Sequence, residues 1–353
     1  IFPRTAHCSF HKAAQYFCLK PVVVDHVPGT FRADVEQMKD AVNENTILLM
    51  ASAPAYAQGG VDPISEIGRI ALDNDLMFHV DSCMGGIMLP FMRDLGYDVP
   101  DFDFTVPGVT SISADLHKFA YTTKGASVVL YRNSSIRQYQ IFASTGSNTY
   151  ALINPTIAST KSGGPIAGAW AAVNYLGMEG YRRITREVME STEKTISGID
   201  SIPELYVLGS PDMSLFSFAS DDINVFQLAD HMARRGWFLQ PQLSKENSPA
   251  NLHITLNHVN VPAMDQFLAD LRECVEEVKT LEEQIDLEEV RQRMEMLIES
   301  LGDDAFNQLT AIAGVEDVEN LPEDTAMITA ALNGLPRDMA EQLLIDYVNR
   351  LYS

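Results

Sequence analysis

The sequence predicts a layered α/β protein with a largely parallel sheet, followed by a smaller α+β domain and a helical tail. Three observations predict it. Short apolar and β-branched runs alternate with helical periods between residues 34 and 131. Strand and helix signals return between 206 and 281 in a different order. From residue 282 the composition turns acidic and rich in Met and Leu, with no strand signal. The 353 residues leave room for two or more domains at about 150 residues each.

Asp34 is placed to cap a helix, with Val35, Met38 and Val42 following at helical spacing. Asn45 and Thr46 end that helix, and residues 47–51 read as a buried strand. A turn follows at Gln58, Gly59 and Gly60. Pro63 then stands at the first turn of a helix carrying Ile64, Ile67, Ile70 and Ala71 on one side. Residues 76–80 form the next strand, which delivers Asp81 at its end. Residues 109–114 and 127–131 are two more strands. In parallel sheets functional groups gather at the carboxyl ends of strands, where Asp81 and the 115–118 segment fall. Residues 163 to about 199 read as one long connecting helix. Beyond it, strands are expected at 206–208, 215–219 and 251–256, and helices at 224–235, 261–281, 324–332 and 338–351. This divides the chain into 1–160, 161–281 and 282–353.

Charge narrows the function. Lys and Arg number 25 against 48 Asp and Glu, a formal net charge of −23. Nucleic acid and anionic lipid both call for clustered cations, so neither is the expected partner. No apolar run reaches the roughly 18 residues of a membrane span; residues 47–57 are interrupted by Ser52 and Pro54. The four cysteines, Cys8, Cys18, Cys83 and Cys274, show no pairing pattern. They suggest neither a disulfide framework nor a metal site, and a reducing cytoplasm fits them. The chain opens on Ile1 in core-like sequence. Its N-terminal part is therefore expected to be missing, which leaves an upstream membrane anchor open.

The chemistry lies in a pair of motifs. Phe78-His79-Val80-Asp81-Ser82-Cys83 brings an acid to a strand end, and Ser113-Ala114-Asp115-Leu116-His117-Lys118 brings a lysine just past another. Desolvation and neighbouring cations would lower the pKa of Lys118 until its amine attacks an aldehyde. The aldehyde of pyridoxal phosphate is the obvious partner. That cofactor is an electron sink while its ring nitrogen stays protonated, a state that a buried carboxylate such as Asp81 stabilises. His7 could supply a flat ring to stack on it. Taken singly, each has a plainer reading: Asp81 as a turn residue, the His-Lys pair as surface, His7 as a structural histidine. Their order and spacing favour the site.

These residues, with Thr5-Ala6-His7, Ser52-Ala53-Pro54, Gly60-Val61-Asp62-Pro63, Gly85-Gly86, Lys124-Gly125-Ala126-Ser127 and Pro155-Thr156-Ile157-Ala158, carry a resemblance. The chain resembles the pyridoxal-phosphate-dependent group II decarboxylase superfamily, and within it the sphingosine-1-phosphate lyases. The likeness is nearly continuous from residue 1 to about 181 and looser through 258. It implies the three-layer, mostly parallel sheet of fold type I, with an incomplete large domain, and a homodimer acting on a small molecule. It also implies roles. Lys118 would form the Schiff base, Asp81 pair with the ring nitrogen, His7 stack on the ring and His117 contact the cofactor phosphate. Ser52 would supply a hydroxyl near the cofactor, and Lys124 and Lys161 would hold a substrate phosphate.

Several positions depart from the lyase pattern. Lys161 stands where the lyases have arginine, keeping the charge without the bidentate fork. Ser82 replaces the usual alanine, and residues 146–150 lack a tryptophan and glycine pair. Three functions follow as expectations. The first is a carbon–carbon lyase, cleaving a phosphorylated long-chain amino alcohol to a fatty aldehyde and phosphoethanolamine by retro-aldol chemistry. The second is an amino-acid decarboxylase using the same Lys118, Asp81 and His7. The third is a non-catalytic dimeric scaffold. Released product separates the first two; the absence of any cofactor adduct would mark the third.

Overall fold

The computed structural model describes residues 1–301 and 324–352, apart from 147, 149 and 159. Part of the departing 146–150 segment therefore lies outside the described residues, as does Ser159. The chain forms two compact units. The first comprises residues 1–192, 208–216 and 255–261; the second comprises 193–207, 217–254 and 262–353.

In the first unit β1 (Phe2–Pro3) leads into α1 (Ser9–Tyr16), and β2 (Val23–Val24) pairs with β1 in parallel. Asp34 caps α2 (Val35–Asp40) as expected, its carboxylate accepting from the Gln37 amide. β3 (Leu48–Ser52), α3 (Ile64–Asp73) and β4 (Met77–Asp81) follow. The apolar positions read from the sequence of α3, namely Ile64, Ile67, Ile70 and Ala71, are its buried face. α4 (Gly85–Asp94) then leads to β5 (Ser111–Ala114) and β6 (Val128–Tyr131).

The central sheet has the order β3-β4-β5-β6. β3, β4 and β5 run parallel, and β6 closes the order antiparallel to β5. Ile1 extends it beyond β3: its amino group reaches the Leu48 carbonyl at 2.8 Å, and the Met50 amide donates back to Ile1. Leu49, Phe78, Val80 and Leu89 are buried on it, each contributing about 1.5–3 kcal/mol by leaving water. Beyond the sheet lie α5 (Ser134–Arg137), the hairpin of β7 (Phe142–Ser144) and β8 (Leu152–Asn154), and α6 (Gly163–Asp200). The single connecting helix expected here is corrected. Gly177 takes φ 57°, ψ −175°, a backbone essentially confined to glycine, so α6 is two helical arms meeting at that residue.

The second unit contains β9 (Tyr206–Val207), most of β10 (Leu215–Ala219), α7 (Val225–Arg234), β11 (Gln240–Gln242), most of β12 (Asn251–Thr255), α8 (Met264–Lys279) and α9 (Leu287–Leu301). Its sheet, ordered β11-β12-β10-β9, has antiparallel outer pairs. Asn224 caps α7, accepting from the amides of Phe226 and Gln227. The helix expected from 261 begins instead as a short 3-10 turn, Val261–Ala263, before α8. Helices Ala326–Gly334 and Arg337–Leu351 follow in the tail.

Candidate active site

The parallel register sets the site. Ser52 at the end of β3 lies opposite Asp81 at the end of β4, and Asp81 lies opposite Ser113 of β5. α4 begins immediately beyond. A Cβ on Gly85 would stand 2.3 Å from the Ala53 carbonyl oxygen, and one on Gly86 would stand 2.7 Å from the Ala114 Cβ. Only glycines let that helix start so close to the strand ends. Ser82, where alanine was expected, is fully buried and donates to the Ala53 carbonyl at 2.8 Å. Its hydroxyl thus serves the fold.

Asp81 is buried. Its Oδ1 accepts from the Ser113 hydroxyl at 2.8 Å and from the Cys83 amide at 3.1 Å. Both bonds fall on one oxygen, so neither engages Oδ2. On the same strand His79 meets the Ser111 hydroxyl at 2.9 Å. Burial pulls the His79 pKa down, against the opposing charge of Asp81.

Lys118 follows β5 in a tight loop and places Nζ 3.0 Å from Asp115 Oδ2. Its amine also contacts the Cys83 thiol, which in turn contacts Asp81. Lys118 and Asp81 therefore converge on one small side chain. Burial pushes the Cys83 thiol up to about 12, with Asp81 adding to the shift and Lys118 opposing it. Burial likewise works against the charge of Lys118, but Cys83 and Asp115 prevail and raise its pKa. A thiol titrating near 12 is neutral at pH 7, so the Asp115 carboxylate is the charge that holds the ammonium. The lowered lysine pKa expected from the sequence is thus corrected: burial lowers it, but Cys83 and then Asp115 outweigh burial.

His117 is fixed beside it. Its Nδ1 lies 2.8 Å from the Ala126 carbonyl, which assigns that nitrogen the proton, and Nε2 lies 3.7 Å from Asp115 Oδ2. Ser52 is buried. Its amide donates to Asp62 Oδ2 at 2.7 Å, while the Ala33 amide donates to Oδ1 at 2.8 Å. His7 is exposed just before α1, where its Nδ1 accepts from the Ser9 amide at 3.3 Å. Lys124 is exposed on the turn before β6. Lys161 lines a groove of about 560 Å³ with Leu116, Ser127, Pro165 and Trp170. The structure thus brings Ser52, Asp81, His117 and Lys118 to one edge of the sheet.

Asp115, Cys83 and Ser113 were missed as site residues. Their signal was proximity: Asp115 three residues before Lys118, Cys83 two after Asp81, and Ser113 in the same motif as the lysine. The donor set fits pyridoxal phosphate, offering an amine for its aldehyde and a buried carboxylate for its ring nitrogen.

Comparison with known proteins agrees. Residues 3–220 match the family described as "Pyridoxal-dependent decarboxylase conserved domain", and residues 276–350 match "Pyridoxal-dependent enzyme, C-terminal putative HTH domain". The sphingosine-1-phosphate lyase of Arabidopsis thaliana is 46% identical over 279 residues, 79% of this chain and 50% of the relative. That of Rattus norvegicus is 37% identical over 281 residues, 79% and 49% respectively. The chain thus spans about half the length of these curated relatives. The solved sphingosine-1-phosphate lyase of Burkholderia pseudomallei K96243 superposes with a TM-score of 0.76 at 36% identity, covering 86% of this chain and 67% of that one. Lactobacillus brevis glutamate decarboxylase superposes at 0.71 with 17% identity, covering 80% and 66%, a likeness of fold alone. The cofactor these matches assign is pyridoxal 5'-phosphate. The chain belongs to the pyridoxal-dependent decarboxylase family.

Proposed function

We propose that this chain carries the cofactor-binding core of a carbon–carbon lyase of the sphingosine-1-phosphate lyase kind. Its reaction is the retro-aldol cleavage of a phosphorylated long-chain amino alcohol to a fatty aldehyde and phosphoethanolamine. The observation that carries the reading is the convergence of Lys118 and Asp81 on Cys83, at the ends of the neighbouring strands β4 and β5. When bound, the cofactor supplies an electron sink for the carbanion that bond cleavage leaves.

The chain's own residues do the rest. Lys118 supplies the amine that holds the cofactor. Asp81, fixed through Oδ1 by Ser113 and Cys83, keeps Oδ2 for the ring nitrogen's proton. His7 stacks on the ring, His117 approaches the cofactor phosphate through Nε2, and the Ser52 hydroxyl adds a polar contact. Lys124 and Lys161 hold the substrate phosphate; Lys161 lines a groove that Leu116 and Ser127 bring beside the lysine loop. Within the chain, residues 1–160 hold the cofactor, 161–281 form the connector and α+β part, and 282–353 form a helical extension.

The proposal includes a homodimer and a cytoplasmic compartment. Exposed apolar side chains crowd residues 139–178 of the first unit, with Tyr139 83%, Ile157 88% and Trp170 71% exposed, and they support a buried interface. All four cysteines are free, which supports reducing surroundings. Among the described residues no helix is long and apolar enough to cross a membrane. The test is to load the chain with cofactor and offer a phosphorylated sphingoid base and, separately, amino acids. Aldehyde release bears the reading out. Carbon dioxide from an amino acid, or neither product, overturns it.

A further inference from the structure

We infer that Asp115 is a positioning residue that stores Lys118 as an ammonium ion and sets the pH at which its amine becomes free to react. This rests on Lys118 being the cofactor-bearing lysine.

The geometry is that of a built counter-ion. Asp115 follows the last residue of β5, its amide donating to the Cys83 carbonyl at 3.3 Å. Its carboxylate is aimed by Ser127, whose hydroxyl donates to Oδ1 at 2.6 Å. The other oxygen, Oδ2, meets Lys118 Nζ at 3.0 Å and His117 Nε2 at 3.7 Å. That partly shielded carboxylate therefore pairs with Lys118, while the Ala126 carbonyl takes the His117 proton. The lysine amide donates to the Asp115 carbonyl at 3.2 Å, so backbone and side chain hold the same loop.

The titratable groups facing Lys118 are Asp115 and His117 from its own loop and Cys83 from the loop after β4, with Asp81 beyond Cys83. Cys83 is a neutral thiol near pH 7, which leaves Asp115 as the anion in contact. Hydrogen bonds from Ser127 and Lys118, with the lysine charge, hold the Asp115 carboxyl below the usual carboxylate range although burial opposes them. A lysine so held must release one proton before its lone pair can attack a carbonyl carbon. Asp115 thus keeps the amine in place but unreactive whenever nothing else occupies it.

Trace acetylation of the cofactor-free chain with acetic anhydride over a pH series reads this directly. The neutral amine attacks the anhydride carbonyl, an amide bond forms, and acetic acid leaves with the displaced proton. Peptide mass spectrometry compares Lys118 with exposed Lys124 in the same molecule. We expect the Lys118 labelling curve to lie at higher pH in the wild type than in Asp115→Asn. In Asp115→Asn, labelling of Lys118 below its midpoint should rise roughly fivefold, the order expected for loss of one partly exposed ion pair. Ser127→Ala, which frees Oδ1 but leaves the charge, should move it the same way by less, and Asp115→Glu should restore the wild-type curve. Lys118 curves that coincide in wild type and in both Asp115→Asn and Ser127→Ala would overturn the inference. Failure of the underlying reading shows separately, as borohydride fixing the cofactor at another lysine.

Discussion

Ser113 gives its hydroxyl hydrogen to Asp81 at 2.8 Å, across the register that pairs the two residues on neighbouring parallel strands. A hydrogen bond to a charged acceptor contributes about 1.5–3 kcal/mol. Ser113→Ala should loosen the carboxylate and weaken cofactor binding at least roughly tenfold, read as Kd from fluorescence titration. An unchanged Kd would show that Asp81 does not depend on Ser113.

Asp62 predicts a pH dependence of stability. Burial pushes its carboxyl from the ordinary 3.8 up to about 6, against the amide bonds from Ser52 and Ala33 and the charge of Arg32. Between those values the fold keeps a proton that the unfolded chain has released. The contribution of Asp62 is therefore fully present below about pH 4 and is lost as pH rises through 6. Asp62→Asn leaves one amide facing an amide and should cost about 1–3 kcal/mol at pH 5. At pH 7 the difference should be smaller, because there the wild type carries the buried charge. Equal differences in urea midpoint at the two pH values would contradict this.

Gly85→Ala places a methyl 2.3 Å from the Ala53 carbonyl oxygen and 2.5 Å from Leu89 Cδ1. Backbone cannot yield as a flexible side chain does, so α4 must retreat from the strand ends. We expect a loss of about 1–3 kcal/mol, seen as a lower Tm, together with weaker cofactor binding. Wild-type behaviour in both would refute the close approach.

Trp170 lies 71% exposed on the first arm of α6. Trp170→Glu should convert the proposed dimer to monomer in sedimentation experiments without lowering Tm. A chain that sediments as a monomer before the substitution contradicts the dimer.

The sequence was most legible where one local pattern decides the outcome. The Ile64, Ile67, Ile70 and Ala71 stripe, the Asp34 cap and the short run ending in Asp81 each carry their own signal. α4 was not read, because Gly85, Gly86 and Pro90 resemble helix breakers; its glycines answer to Ala53 and Ala114, which are distant in sequence. Gly177 lies inside what reads as one long helical stretch, although the 177–181 run is of a helix-end type, and its backbone angles place the break there. At the site, Lys118 and Asp81 were readable as residue types in order. Their meeting at Cys83 depends on the parallel register of β4 and β5. The raised pKa of Lys118 depends on Cys83 and on Asp115, whose carboxylate Ser127 aims from the other side of the loop.

The central claim is that Lys118 is the amine that takes the cofactor. Incubating the chain with pyridoxal 5'-phosphate, reducing with borohydride and mapping the peptides tests it most directly. The account predicts the added cofactor mass on the peptide holding Lys118, and its loss from the Lys118→Ala variant. Cofactor fixed on other lysines, or labelling unchanged in Lys118→Ala, would contradict it.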